Sequence, residues 1–184
     1  MSDARNIAPV DVLNFWREAG HDSWYRHDEM FDVEVCRRFL GLWQQAAAGE
    51  LSSWEATDEG ALALTIVLDQ FPRNMFRGDA RTYASDRQAR DVAARAIDRG
   101  TDRRIDPALL EFLYLPFMHS EELPDQLRCI ELFAGTSNTE NQEYAEHHAD
   151  IIRRFGRFPH RNRILGRETT PEEQAFLDAG GFSG

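Results

Sequence analysis

Apolar residues recur along this chain with a helical period. Phe31, Val35, Phe39, Leu42 and Ala46 stand three or four apart, the spacing of one buried helix face. They predict a helix from Glu29 to Ala48, ended by Gly49. Before it, Val12, Leu13, Phe15 and Trp16 predict a shorter helix from Pro9 to Gly20, with Pro in the first turn and Gly closing it. The polar and aromatic stretch His21 to Asp28 between them reads as a loop. Thr57 to Gln70 is harder, because Ala61 to Leu68 is a nearly unbroken apolar run that suits a buried strand equally well. Thr57-Asp58-Glu59 is a helix N-terminal signal and no partner strand exists elsewhere, so the reading is a helix buried all round. It is expected to stop at Phe71-Pro72, since the residue before Pro avoids helical geometry.

The second half of the chain is punctuated as clearly. Ser85 and Gln88 form a capping-box pattern for a helix to Arg99, closed by Gly100. Asp106-Pro107 opens the next helix, carrying Leu109, Leu110, Leu113 and Phe117; Pro116 should kink or end it near His119. Leu123, Leu127 and Ile130 mark a further helix up to Gly135, and Ser137 with Glu140 caps the one that runs to Gly156. Thr170-Pro171-Glu172-Glu173 starts a last short helix ending at Gly180-Gly181. The expectation is one all-α domain over residues 1–184, about eight helices packed in antiparallel pairs. No clean 34-residue repeat appears.

Composition narrows the function. The 42% hydrophobic content is that of a globular chain, no apolar run approaches the ~20 residues of a membrane span, and the first residues lack the basic-then-apolar order of a signal peptide. Cys36 and Cys129 are far apart and read as two buried free thiols of a reducing, cytoplasmic environment. The net charge of −11 disfavours nucleic acid as a partner. All 21 basic residues are Arg and none is Lys, which excludes Schiff-base chemistry, pyridoxal phosphate anchoring and the Walker-type phosphate loop. Guanidinium groups remain, suited to bidentate grips on carboxylate or phosphate.

Charge is distributed unevenly. Arg153 to Arg167 holds six Arg and no acid, so this piece carries +6 and the rest of the chain −17. Around it, Tyr144, His148, Ile151 and Phe155 share one helix face, which turns His148 inward and His147 away. The string FPHRN (Phe158 to Asn162) echoes FPRN (Phe71 to Asn74). Each reads as an aromatic-Pro turn after a helix end, a setting in which a cis bond is a candidate. Arg73, Arg157 and Arg161, with Asn74, His160 and Asn162, could clamp an anion if both turns faced one cavity, or could stitch loops to acidic helices. His119 and Glu121 sit together at the Pro116–Pro124 junction, where a His and a carboxylate serve acid–base chemistry. Alternatively Ser120 caps the following helix and Glu121 favours its positive end. The histidine spacing is that of no standard zinc site, and neither metal nor cofactor is expected.

LDQFPRN (Leu68 to Asn74), YLPFMHSE (Tyr114 to Glu121) and HADIIRRFGRFPHRNRILGR (His148 to Arg167) together resemble the bacterial family called domain of unknown function 924; FWREAG near the start and TPEEQAFL near the end look similar too. The resemblance implies an all-helical, tetratricopeptide-like domain and supplies no reaction, cofactor or catalytic residue. Matching motif positions are Asp69, Gln70, Arg73, Asn74, His119, Glu121, His148, Arg157, His160, Arg161 and Asn162. Two functions fit these residues. One is a binding module holding a small anionic ligand or acidic peptide through Asp69, Gln70, Arg73, Asn74, Arg157, His160, Arg161 and Asn162. The other is a hydrolase or lyase using His119 or His148 with Glu121 as acid–base groups. No membrane or nucleic-acid partner is expected, and nothing in the pattern specifies an oligomer.

Overall fold

The computed structural model describes residues 7–182. The residues before position 7, which carry part of the signal-peptide reading, lie outside it. Among the described residues there are eight α-helices, short 3-10 turns and no strand. The helices are α1 (Pro9–Tyr25), α2 (Glu29–Ala47), α3 (Asp58–Met75), α4 (Asp86–Asp98), α5 (Glu111–Met118), α6 (Leu123–Ala134), α7 (Thr139–Phe155) and α8 (Pro171–Asp178). The chain forms two compact units, one up to Pro116 and one from Phe117 onward, with the boundary inside α5. None of these helices is long and apolar enough to cross a membrane.

In the first unit α3 is the hub, packed by α1, α2 and α4. Its residues from Gly60 to Pro72 are all buried, as an all-round apolar helix must be. Around Phe71 stand Phe15, Trp16 and Phe39, with ring centroids 4.6 to 6.4 Å away. Thr57 caps α3 by accepting the Gly60 N–H, and Asp28 caps α2 by accepting from Met30 and Phe31. In the second unit α6 packs along α7, and Ile151, Ile152 and Phe158 form a core flanked by Phe155, Phe176 and Phe182.

Several helix ends differ from the sequence expectation, each for a long-range reason. The stretch after Gly20 is not a loop: Gly20 leaves helical geometry at φ 73°, and the helix resumes to Tyr25. The kink strands carbonyls of the preceding turn, and the Trp24 indole donates to Trp16 O at 2.7 Å while stacking on the Trp16 ring, which holds the second piece in place. Helix α3 does not stop at Phe71-Pro72 but continues to Met75. Pro72 has no N–H for Leu68 O. That oxygen is instead satisfied by Ser85 Oγ at 2.6 Å, which in turn accepts from Trp43 Nε1 at 3.0 Å. FPRN is therefore helix interior rather than a turn. Ser85 makes no side-chain cap to α4, and Gln88 donates to Ala47 O, so the expected capping box is absent.

In the second unit Asn138, not Ser137, caps α7 through the Asn141 N–H. Helix α6 buries Gln126, Cys129 and Phe133, leaving Leu123 37% and Leu127 42% exposed, so its inward face is rotated from the one that the leucines mark. Helix α8 starts at Thr170-Pro171-Glu172-Glu173 as the sequence predicts, with Thr170 and Glu173 closing a capping box, and α5 ends two residues after Pro116. Cys129 is buried, Cys36 partly so, and neither is in a disulfide. Among the described residues no peptide bond is cis, so both Phe–Pro bonds are trans.

Candidate functional site

The two motif regions lie in different units. In the first, Asp69 is fully buried within α3 and accepts from Gln70 Nε2 at 2.5 Å. Arg73, one turn later, donates to Asp69 O and grips Asp86 with both terminal nitrogens at 2.9 and 3.1 Å. Burial works against the guanidinium charge, but the Asp69 and Asp86 carboxylates outweigh it and hold Arg73 protonated above its ordinary value. Asn74 donates to Asp32 at 2.7 Å, and Asp32 also holds Arg77. These side chains bind α3 to α2 and to the start of α4.

The second region is built around Phe158. Gly156 ends α7 in the left-handed conformation, and Phe158-Pro159 then opens a 3-10 turn over Pro159–Arg161, as Pro at a first-turn position favours. The Phe158 backbone is pinned on both sides. Its N–H donates to Glu121 Oε1 at 2.8 Å and its carbonyl accepts from Arg167 Nη2 at 3.2 Å. Arg167 also clasps both Glu121 oxygens at 2.7 and 2.9 Å and donates from Nε to Asn162 Oδ1 at 3.0 Å. Burial opposes the Glu121 charge, yet the Arg167 fork and the Phe158 amide together keep its carboxyl below the usual range.

On the far side of the turn, Glu173 of α8 accepts from Arg157 Nε at 2.6 Å, Arg157 Nη2 at 2.8 Å, Asn162 Nδ2 at 3.1 Å and the Thr170 N–H at 2.8 Å. The Arg157 bonds lead in pulling its carboxyl down to about 2. Four of the six arginines of the island are met by acids outside it: Asp150 on Arg153, Glu172 on Arg154, Glu173 on Arg157 and Glu121 on Arg167.

Around the Phe158 ring stand Arg161, His148 and His160. The Arg161 guanidinium carbon lies 4.5 Å from the ring centroid, a cation–π distance. His148 and His160 stand 5.5 and 5.7 Å away, centroid to centroid. His148 is buried, and its Nδ1 sits 2.7 Å from Tyr144 O; a carbonyl only accepts, so Nδ1 carries the proton and Nε2 is the acceptor. Burial pushes its pKa down to about 3, the Tyr144 bond resists, and His119, His147 and Arg161 nearby add to the lowering. His119 is half-buried in the turn after α5. Beside it Ser120 Oγ accepts the Glu122 N–H and donates to Asp125 at 2.6 Å, and Gln126 Nε2 donates to Met118 O and Ser120 O. Among the described residues no three His, Cys, Asp or Glu side chains are grouped to hold a metal ion.

The structure therefore brings His148, His160 and Arg161 together at Phe158, with His119 acting on the His148 charge, fixes Glu121, Arg157 and Asn162 as their frame, and places Asp69, Gln70, Arg73 and Asn74 in the other unit's helix packing. Arg167, Glu173 and Phe182 belong to the second region and were not singled out from the sequence as site residues. Glu173 stood in the Thr170-Pro171-Glu172-Glu173 helix start, and Phe182 is the aromatic residue after Gly180-Gly181; only Arg167 needs the fold, its carboxylate partner lying 46 positions earlier.

Comparison with known proteins places the chain. It is 46% identical to a solved structure described as a protein of unknown function, ATU0120, from Agrobacterium tumefaciens, with a TM-score of 0.90 over 94% of this chain and 97% of that one. No curated protein sequence matches it. Residues 12–181 match the model of the family described as bacterial protein of unknown function. Over nearly its whole length, then, the chain belongs to the bacterial family DUF924.

Proposed function

We propose that the protein is a helical ligand-binding module and that its site is the cluster around Phe158, which takes a small anionic group, a phosphate or a carboxylate. The observation that carries this reading is the convergence of Arg161, His148 and His160 on one ring, with His119 and Arg161 close enough to depress the His148 pKa. The Arg161 guanidinium with the His160 ring beside the same aromatic face favours an incoming anion, while neutral His148, its N–H already on Tyr144 O, lines the site. The helix pairs α2–α3, α3–α4 and α6–α7 supply the scaffold, which we read as a degenerate, tetratricopeptide-like pairing. Arg73 belongs to the other unit's helix packing, so the clamp is assigned to Arg161 over the Phe158 ring with His160 beside it rather than to two Arg-Asn turns.

A hydrolase or lyase has less support. A general base works best with a pKa near the working pH, whereas the His148 value near 3 makes it a weak base. Glu121, the group that would orient a catalytic His119, has both oxygens on Arg167.

Thermal-shift measurements with phosphate, sulfate and carboxylates test the reading. An anion is expected to raise the melting temperature of the wild type and of Arg73→Ala, and to lose this effect in Arg161→Gln. Loss of one charge-assisted fork, at about 1.5–3 kcal/mol, corresponds to a roughly ten- to hundred-fold weaker affinity, of which Arg161→Lys recovers only part. If no anion stabilises the wild type while Arg161→Gln simply melts early, the arginine is structural and the reading fails.

A further inference from the structure

Helix α4, in the first unit, is strapped at two points. Gln88 Nε2 donates to Ala47 O, at the end of α2, at 2.9 Å. Two turns on, Arg95 grips both oxygens of Glu55, in the 3-10 turn Ser52–Ala56, at 2.8 and 2.9 Å, and Arg99 donates to Glu55 O at 3.0 Å. That turn is itself fixed against α3, where a Cβ on Gly60 would lie 2.1 Å from Trp54 O. Between the two straps the side chains leave a gap. A cavity of about 220 Å³ opens to solvent there, with Ala46, Leu64, Leu68 and Val92 as its floor.

The floor residues are apolar and buried, whereas the mouth carries acceptors. Asp91 lies on the same stripe of α4 as Gln88 and Arg95, and it lines the opening together with Ser52. Among the described residues the Asp91 carboxylate accepts no hydrogen bond and closes no ion pair, acting on Arg95 only through space. Gln88 has its NH2 on a carbonyl, so Oε1 is left as an acceptor. Ser52 Oγ is likewise unengaged. Helix α2 ends at this rim with no basic residue in its last turn, so its partial negative charge is not offset. Glu55 and Asp91 also outnumber Arg95 around the opening. An apolar floor under such a rim suits a ligand that is apolar at one end and a cationic donor at the other.

We propose that this cavity binds a small primary amine with an apolar body. The body, a ring or a branched chain, lies on Leu64, Leu68 and Val92. The ammonium group sits at the mouth and donates to Asp91, Gln88 Oε1 and Ser52 Oγ, matching its three N–H bonds. The size agrees: an apolar cavity of about 150 Å³ takes a benzene ring, so 220 Å³ has room for a ring and a short arm. A carboxylate in place of the ammonium would meet Asp91 and the end of α2 with like charge. The site lies within the first unit and does not rest on the anion-binding reading of Phe158.

NMR titration of the isotope-labelled wild type and Asp91→Asn with phenethylamine, phenethyl alcohol and phenylacetate tests this. Phenethylamine is expected to shift the amide signals of Leu64, Leu68 and Val92, and to bind Asp91→Asn about five-fold more weakly, as the loss of one exposed ion pair implies. Asp91→Glu keeps the charge and is expected to recover most of that affinity. Phenethyl alcohol, which has the ring and a donor but no charge, is expected to bind the wild type more weakly than the amine and to bind Asp91→Asn equally well. Phenylacetate is expected to bind weakest. Asp91 is exposed, so Asp91→Asn keeps the fold, and unchanged signals away from the mouth check it. Equal amine affinity in wild type and Asp91→Asn, or equal affinity for amine and alcohol, removes the cation from the mouth and overturns the proposal. Binding of none of the three, or amine shifts confined to the second unit, overturns it as well. None of these results alters the anion titration of Arg161→Gln, so the two readings stand or fall separately.

Discussion

Replacing Ser85 by Ala tests why α3 runs through a proline. In the wild type, Ser85 Oγ donates to Leu68 O at 2.6 Å and accepts from Trp43 Nε1 at 3.0 Å, and Ser85 is itself buried. The variant leaves the Leu68 carbonyl, already without an N–H from Pro72, facing a methyl group. A buried polar group left unpaired costs about 1–3 kcal/mol, and the half-buried Trp43 N–H adds up to about 1 more. We expect Ser85→Ala to lose about 2–3 kcal/mol, or roughly 5–10 °C in melting temperature for a chain of this size. The informative partner is Pro72→Ala, which returns an N–H to Leu68 O. In that background Ser85→Ala should cost at least about 1 kcal/mol less, because the carbonyl keeps a donor. Urea unfolding of the four proteins, read by circular dichroism and by tryptophan fluorescence, gives the cycle. Equal cost of Ser85→Ala in both backgrounds would show that the hydroxyl does not substitute for the missing amide, and the account of the uninterrupted helix would be wrong.

Two further expectations concern pH. Glu173 titrates near 2 in the fold against an ordinary 4.5, so its contribution is complete above the unfolded value and is lost as pH falls through the interval toward 2. The stability gap between wild type and Glu173→Gln should be widest near neutrality and close across that interval; a gap independent of pH in acid denaturation would refute the clasp. His148 is depressed from 6.5 to about 3, so the unfolded chain takes up a proton that the folded chain refuses, and stability falls as pH drops from about 6.5 toward 3. In NMR titrations its ring signals should stay unchanged from about pH 8 to 5, with a shallower acid loss of stability in His148→Gln; a midpoint near 6 would contradict its dry, neutral placement.

Most of the helices were legible because their signals are local. Thr57, Asp28 and Thr170 each cap a helix by bonding an amide two or three residues ahead, and Gly49, Gly100 and Gly156 each mark an end at positive φ. The all-round apolar character of Ala61 to Leu68 sufficed to bury α3. The inward turn of His148 followed from helical spacing alone, and the structure buries it. The candidate site was legible in part: the FPHRN string pointed to Phe158, His160 and Arg161, but the equal weight given to FPRN misread a helix interior as a second turn.

Groups whose partners lie far away in sequence were decided only by tertiary structure. Helix α3 passes Pro72 because a hydroxyl 17 residues later supplies the missing donor. Helix α1 resumes after Gly20 because an indole reaches back to Trp16 O. On α6, spacing alone marked Leu123 and Leu127, yet Gln126 is the residue turned inward, since its amide is needed at the carbonyls that end α5. Glu121 read as an acid–base partner of His119 or as a charge at the start of the next helix, whereas the fold lays Arg167 against it. In each case the chain's own pattern fixes which groups must be buried or capped within a turn or two, whereas the pairing of a donor with an acceptor tens of residues away depends on how the helices pack.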